Sequence, residues 1–229
     1  MKLLALETAT LMGGVAVSEG ERILASLRLG IKVAHSERLM PSIRYCLGQA
    51  GLDIKDIDVL AVSIGPGSFT GLRVGLSTAK GLAFARGNLP IVAVPTLEAM
   101  AWQLPLCSLP VCPLLDARKG ELYGAVFQWG PEGFKRLKEE TTLRPQQWAQ
   151  ELSRLKEVVL QGEGAWLYRG VLGSLLGRRA VFAPGHAMQP SAASVAVLGY
   201  RMAREGIFSE PMALAPQYIR KSEAELKMP

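Results

Sequence analysis

Residues 59–86, VLAVSIGPGSFTGLRVGLSTAKGLAFAR, decide the fold of this chain. The unbroken apolar run Val59–Ile64 predicts a strand that is buried on both faces, and Phe69–Arg86 predicts a helix. A glycine-rich turn joins the two, which is the setting of a phosphate-binding loop. The turn lacks the Gly-Lys-Ser/Thr ending of a Walker A loop, and Thr70 stands where the dinucleotide fingerprint requires its third glycine. The sequence therefore excludes both of these nucleotide loops.

Small residues recur at every fourth position of this stretch, namely at Gly67, Gly71, Gly75, Ala79 and Ala83. On a helix they form one flat ridge, against which another element can pack closely. A glycine inside a helix costs about 0.5–1 kcal/mol relative to alanine, so three of them near one face need a cause. Two interpretations remain open from the residues alone. The ridge packs on the sheet or on a neighbouring helix of the same chain, or it packs against a helix of another chain.

The elements around this stretch form one pattern that occurs in both halves of the chain. Alternating and amphipathic patterns in the first half predict strands at Leu3–Glu7, Gly14–Ser18, Arg22–Leu29 and Ile91–Val94, a helix at Ser36–Ala50, and a third helix capped by Thr96. The second half predicts strands at Val111–Ala117, Leu122–Trp129, Phe134–Lys138, Val158–Gln161 and Val181–Phe182, and helices at Pro145–Leu155, Gly164–Leu176 and from Ser191 to Arg204.

A β-β-β-α-β-α unit thus occurs twice, and we predict an α/β protein with a two-lobed actin-like (ASKHA) fold. The prolines at 105, 110 and 113 indicate a boundary between an N-terminal lobe, residues 1–104, and a C-terminal lobe, residues 105–229. The final helix would be able to pack back on the first lobe. Because an interior proline removes one helical hydrogen bond, we expect the first helix to begin late or to kink at Pro41.

Composition indicates a cytoplasmic globular protein. The chain has 229 residues with a formal charge of +6, and 49% of the residues are hydrophobic. No apolar run approaches the ~20 residues of a membrane span, and no signal peptide is expected. The three cysteines form no CxxC motif. The basic residues are dispersed, with pairs at Lys135/Arg136, Arg178/Arg179, Arg201/Arg204 and Arg220/Lys221. Whether the fold gathers these pairs on one face, as nucleic-acid binding requires, is left open.

Few residues are candidates for chemistry, and we predict no catalytic residue and no metal site. Glu7 and Asp116 end the first strand of each half, where sugar-kinase-like proteins hold magnesium or face a phosphate, so both are weak cofactor candidates. The alternative is that they are carboxylates of ordinary turns. The two histidines, His35 and His186, provide little material for a catalytic triad. Leu39 stands four residues after His35, where a second helical metal ligand would have to be.

Several segments resemble one family over nearly the whole chain. They are LLALETAT at the start, HSERLMPSI from 35, SIGPGSFTGLRVGLSTAKGLA from 63, LLDARKGELYGAVF from 114 and LAPQYIRKSEAE near the end. These segments are similar to the TsaB family, also called YeaZ, and the GPGSFTGLR stretch is specific to it. The resemblance implies a subunit without catalysis of its own in the synthesis of N6-threonylcarbamoyladenosine, next to the anticodon of tRNA.

The resemblance also implies partners. A TsaB-like chain would bind and activate TsaD, which transfers the threonylcarbamoyl group, with the ATPase TsaE as a further partner and tRNA bound through the complex. A homodimer is the alternative assembly. The implied interface consists of the two helices at about 36–50 and 69–86, through Leu39, Ile43, Leu47, Gly71, Gly75 and Ala79. We predict that Gly75→Leu abolishes TsaD association and leaves the chain folded.

The alternative function is an active ATPase or small-molecule kinase of the actin-like class, with weak ATP or ADP binding. This enzyme would need both Glu7 and Asp116 together with a polar phosphate turn. The first hairpin turn contains Leu11 and Met12 instead, which are poor partners for a phosphate.

Overall fold

The computed structural model describes residues 1–219, which form two compact units. The first unit contains Met1–Ala99 together with Pro190–Gln217, and the second contains Met100–Gln189. Each unit has its own five-stranded sheet with antiparallel and parallel neighbours. No helix among residues 1–219 has the length and apolar character required to cross a membrane.

The first unit has the strand order β3-β2-β1-β4-β5. Its elements are β1 (Lys2–Glu7), β2 (Gly13–Glu19), β3 (Arg22–Leu29), α1 (His35–Gln49), a short 3-10 helix (Ile54–Asp56), β4 (Val59–Gly65), α2 (Phe69–Ala85), β5 (Ile91–Pro95) and α3 (Thr96–Ala101). The strands β1 to β3 form an antiparallel meander, whereas β4 and β5 extend the sheet in parallel to β1. Both β1 and β4 are buried along nearly their whole length, as is typical of central strands covered on both faces.

The second unit has the order β10-β9-β6-β7-β8. Its elements are β6 (Val111–Arg118), β7 (Glu121–Gly130), β8 (Gly133–Leu143), α4 (Pro145–Leu152), β9 (Val158–Gln161), α5 (Glu163–Leu167), α6 (Arg169–Leu176), β10 (Ala180–Phe182) and 3-10 helices at Gly177–Arg179 and Gly185–Ala187. The last helix, α7 (Ala192–Arg204), follows them in the chain and belongs to the first unit. Read from β8 to β10, this order repeats that of the first sheet strand by strand. The predicted duplication is confirmed.

Each unit buries a separate hydrophobic core. In the first unit, apolar side chains of β1, β2 and β4 pack against α1 and α2. In the second, Trp148 of α4 is fully buried, and its indole N–H donates to the carbonyl of Leu122 at 3.1 Å. A buried indole needs such an acceptor, because an unpaired N–H in a core costs free energy.

The structure differs from the predicted elements at three places. The helix α1 begins at His35 and runs through Pro41, so the expected late start is wrong. The helix expected over residues 164–176 is divided at Tyr168 into α5 and α6. Thr96 is the first residue of α3, and its hydroxyl accepts a hydrogen bond from the N–H of Gly65 at 3.1 Å.

The division of the chain also differs from the predicted boundary after residue 104. The second unit starts at Met100, and residues 190–217, predicted to lie in the C-terminal lobe, belong to the first unit. The cause is α7, which packs on the strands of the first sheet. At Gly199 of α7, a Cβ atom would lie 2.6 Å from that of Ala61 in β4, so a glycine allows this close approach. Arg220 and Lys221 lie outside the described residues.

Candidate functional site

The small-residue ridge of α2 lies against the chain segment that follows β1. A Cβ atom at Gly67 would collide with the backbone and side chain of Ala9. At Gly71 it would collide with the backbone carbonyl of Thr8, and at Gly75 with the hydroxyl of the same threonine. Of the two interpretations left open by the sequence, the structure therefore supports packing inside the fold.

The apolar stripe of α1 is buried as well. Leu39, Ile43 and Leu47 are 4%, 2% and 7% exposed and belong to the core of the first unit, as does Ala79 of α2. Gly71 and Gly75 are also buried. The six residues predicted as a partner interface thus hold this unit together and form no surface. A Cβ atom at Gly75 would already collide with the hydroxyl of Thr8, so we expect Gly75→Leu to disturb the packing inside this unit as well as any association with TsaD.

The opposite faces of α1 and α2 are exposed and carry large apolar side chains. Met40 and Tyr45 of α1 are 48% and 56% exposed, and Phe84 of α2 is 82% exposed. The two helices contact each other. A groove of about 450 Å³ lies at the start of α2, lined by Ser36, Phe69, Thr70, Arg73, Val74, Ser77 and Thr78. We call the exposed side chains of α1 and α2 the outer helix face. Exposed aromatic and methionine side chains are enriched in protein interfaces.

The turn between β1 and β2 is closed by two side chains of α1. The guanidinium of Arg38, only 7% exposed, donates to the carbonyls of Leu11 and Leu29 at 2.6 Å each. The imidazole of His35 is hydrogen-bonded to the carbonyl of Thr10 at 2.8 Å. A Cβ at Gly13 would lie 2.5 Å from the His35 ring. The backbone carbonyls of this turn are therefore bonded to the buried Arg38 and the half-buried His35, in the place where a phosphate-binding turn would present its N–H groups.

Both ring nitrogens of His35 have hydrogen-bond partners inside the fold. Its Nε2 faces the carbonyl of Thr10, and its Nδ1 lies 3.1 Å from a guanidinium nitrogen of Arg38. The ring therefore donates through Nε2 and accepts through Nδ1. Burial and the neighbouring Arg38 charge lower the pKa of His35, which favours the neutral ring. Among residues 1–219, no three His, Cys, Asp or Glu side chains lie close enough together to hold a metal ion.

Glu7 ends β1 inside the protein, with 1% of its surface exposed. One carboxyl oxygen accepts a hydrogen bond from the N–H of Ala9 at 2.6 Å. The other, Oε2, has no hydrogen-bond partner among the described residues, and neither has the hydroxyl of Thr8. Burial raises the pKa of Glu7 to about 7, although the N–H of Ala9 and the hydroxyl of Ser63 oppose this. The carboxyl group of Glu7 is thus enclosed in the core at the end of β1.

Asp116, the second carboxylate candidate, lies at the corresponding position of the second unit. It accepts a hydrogen bond from the N–H of Arg118 at 2.8 Å and pairs with the side chain of the same arginine at 3.4 Å. Burial and the charge of Asp116 raise the pKa of Glu163, at the start of α5. Sequence reasoning missed both Arg118 and Glu163. The repeated strand order could have indicated Glu163. In that order β9 corresponds to β4, and Glu163 follows β9 at the place where the glycine-rich turn follows β4.

Comparisons with known proteins agree with the fold and with the motifs. A family model described as "TsaD: tRNA N6-adenosine threonylcarbamoyltransferase" matches residues 31–228. Two proteins named "tRNA threonylcarbamoyladenosine biosynthesis protein TsaB" align over their whole lengths. That of Escherichia coli is 32% identical over 236 residues, covering 100% of this chain and 99% of the relative. That of Bacillus subtilis is 27% identical over 231 residues, covering 99% and 97%.

Solved structures extend the comparison to the fold. YeaZ from Pseudomonas aeruginosa superposes with a TM-score of 0.78 and 28% identity, covering 95% of this chain and 99% of the other. A ROK hexokinase from Thermus thermophilus has a TM-score of 0.52 and 14% identity, covering 89% and 100%. At that identity only the fold is shared. The actin-like fold class predicted from the duplicated unit is confirmed.

Proposed function

Because the chain belongs to the TsaB family of tRNA threonylcarbamoyladenosine biosynthesis proteins, we propose that it acts there as a non-catalytic activator. It binds TsaD, the threonylcarbamoyltransferase, through the outer helix face. TsaE and tRNA join the resulting complex. The observation that carries this proposal is the exposure of large apolar side chains on two adjacent helices, at Met40, Tyr45 and Phe84.

The physical reason is the cost of leaving such side chains in water. Removing apolar surface from water gains about 25 cal/mol per Å², and aromatic side chains dominate the energetics of many interfaces. The buried stripe on the other side of the same helices fixes their positions through the core of the unit. A rigid, pre-formed helix pair loses little conformational freedom on binding. The outer helix face therefore suits a partner that presents helices of its own.

The closed β1–β2 turn supports a role without catalysis. Arg38 and His35 occupy the turn from inside, and Glu7 is enclosed with an unpartnered oxygen. An ATPase or kinase of the actin-like class would need an open turn, because backbone N–H groups must reach the phosphates. These observations count against the enzyme alternative and against ATP or ADP binding at this turn.

The test is an in vitro threonylcarbamoylation assay on tRNA with TsaD, TsaE and the adenylate donor, with and without this chain. We expect modified adenosine to form only when the chain is present, and we expect no ATP turnover by the chain alone. Formation at the same rate without it would overturn the activator function. ATP hydrolysis by the chain alone, lost in Asp116→Asn, would favour the enzyme alternative instead.

Size-exclusion chromatography with light scattering tests the assembly itself. We expect the chain and TsaD to elute together as a heterodimer at micromolar concentration. The same experiment on the chain alone reports whether the outer helix face also joins two copies. A homodimer that dissociates when TsaD is added would mean that both assemblies use this face. Separate elution of the chain and TsaD would contradict the proposed interface.

A further inference from the structure

Pairing of β9 with β10 brings two basic segments of the second unit to one edge of its sheet. In the parallel register, Ala180 lies beside Val158. Arg178 and Arg179 come directly before Ala180, and Lys156 and Glu157 come directly before Val158, so these residues lie at the same end of the two paired strands. Arg154 lies two residues before Lys156 in the loop after α4. We call Arg154, Lys156, Arg178 and Arg179 the basic edge.

The basic edge is exposed and only slightly compensated. All four side chains lie in exposed residues. Lys156, Arg178 and Arg179 have no ion pair or hydrogen bond to another described side chain, and Arg154 acts on Glu151 only as a minor electrostatic neighbour. Glu157 is the one acidic residue within the two segments 154–157 and 177–180. Four positive charges with one acidic residue among them raise the local positive potential, which attracts a polyanion.

An aromatic group lies at the other end of α6, the helix that leads to this edge. The guanidinium of Arg169 lies over two rings, 5.0 Å from the centroid of Trp166 and 4.5 Å from that of Phe182. Trp166 is 59% exposed, so part of its ring is open to the solvent. An exposed indole backed by a cation is a platform on which an unpaired base can stack.

We propose that this surface, the basic edge with Trp166 and Arg169, contacts the RNA substrate directly. The arginines and the lysine bind backbone phosphates, and Trp166 stacks with an unpaired base. The proposal rests on the proposed function, which supplies a tRNA as the polyanion, and it assigns to this chain a part of the tRNA contact. Arginine suits this task because its planar guanidinium binds phosphate oxygens in pairs.

Phosphate contacts and base stacking have different signatures. Each phosphate contact releases counterions, so the binding constant falls with salt by about 0.7–0.9 logarithmic units per contact per tenfold change in salt. When the logarithm of the binding constant is plotted against the logarithm of the salt concentration, removing two contacts should therefore make the slope less steep by about 1.5. Loss of one stacked base weakens binding by about tenfold and leaves the slope unchanged.

The experiment measures binding of a fluorescently labelled tRNA to the chain assembled with TsaD, at several salt concentrations. The variants are Arg178→Glu/Arg179→Glu for the phosphates and Trp166→Ala for the stack. The matched control is Arg22→Glu/Lys55→Glu, which changes the net charge equally at two exposed residues of the first unit. TsaD association of every variant is measured separately by size exclusion.

We expect Arg178→Glu/Arg179→Glu to weaken tRNA binding at least tenfold and to lower the salt slope, while the control changes the affinity less than threefold. Trp166→Ala should weaken binding with an unchanged slope. Unchanged tRNA affinity in the double variant, or an equal loss in the control, overturns the inference. If the double variant loses TsaD and retains tRNA, the basic edge is a protein contact and the inference fails. Failure of the wild-type chain to bind TsaD is a different result, which contradicts the proposed function.

Discussion

Gly71 of α2 lies so close to the backbone carbonyl of Thr8 that no side chain fits between the helix and the end of β1. This contact places α2 directly over the segment that leads into the β1–β2 turn. It also decides the meaning of the small-residue ridge, because the ridge faces the chain itself. The helix therefore turns its other side, with Phe84, to the solvent.

Gly71→Ala should destabilise the first unit. The new methyl group would collide with a backbone carbonyl, which cannot move without displacing β1, and overpacking of this kind costs about 1–3 kcal/mol. Gly81→Ala is the matched control, since nothing lies within 4 Å of a Cβ at that position of the same helix. It should stabilise the protein by about 0.5–1 kcal/mol through helix propensity. Urea denaturation followed by circular dichroism measures both, and equal stabilities of the two variants would contradict the packing argument.

Phe84→Glu and Tyr45→Glu should each weaken binding to TsaD by about thirtyfold. Each variant would bury an unpaired charge in the interface, and the expected loss of binding free energy, about 2 kcal/mol, is that of a typical interface hot spot. Their stability should stay within about 0.5 kcal/mol of the wild type, since both side chains are largely exposed. Met212→Glu is the control, an 87% exposed apolar side chain in the same unit that lies outside α1 and α2. Titration calorimetry with TsaD gives the affinities. A similar loss in the control would mean that binding does not depend on the outer helix face.

The duplicated fold could be predicted from the sequence, whereas the faces of α1 and α2 that are exposed to a partner could not. Buried strands such as Val59–Gly65 leave a local signal, the unbroken apolar run, and the repeated element order follows from such signals. Periodicity at Leu39 or Gly75 predicts a packed face, yet it does not tell whether the packing element belongs to the same chain. An apolar helix stripe that lies beside a strand of the same chain is better interpreted as part of the hydrophobic core than as a partner interface.

The closure of the turn could not be predicted at all. Arg38 donates a hydrogen bond to the carbonyl of Leu11, which lies 27 positions away in the sequence, and no local sequence pattern predicts such a contact. The same limit applies to the basic edge, whose two segments meet only because β9 and β10 pair. Dispersed basic pairs in a sequence indicate a cluster only once the strand register is known.

Arg38→Met should lower the free energy of unfolding by about 3 kcal/mol. The variant leaves the carbonyls of Leu11 and Leu29 without their charged donor, and each unsatisfied buried group costs about 1–3 kcal/mol. Arg38→Lys should recover only part of this loss, because one ammonium group lacks the forked geometry that reaches both carbonyls. Arg44→Met, an exposed position of the same helix, is the control and should be neutral. Faster amide exchange in residues 10–14 of Arg38→Met would locate the defect at the turn.

Glu7→Gln should make the protein more stable at neutral and alkaline pH. The pKa of Glu7 is raised from 4.5 to about 7 in the folded state, so the folded chain holds its proton more tightly than the unfolded chain. The carboxyl group is protonated in both states below pH 4.5, and its ionisation opposes folding progressively as the pH rises to 7. Each tenfold change in proton affinity is worth about 1.4 kcal/mol, which amounts to roughly 3 kcal/mol for this buried group. Urea denaturation of both proteins from pH 4.5 to 8.5 should give a difference in stability that grows over this range and then stays constant. A difference that stays constant from pH 4.5 to 8.5 would mean that folding does not raise the pKa of Glu7.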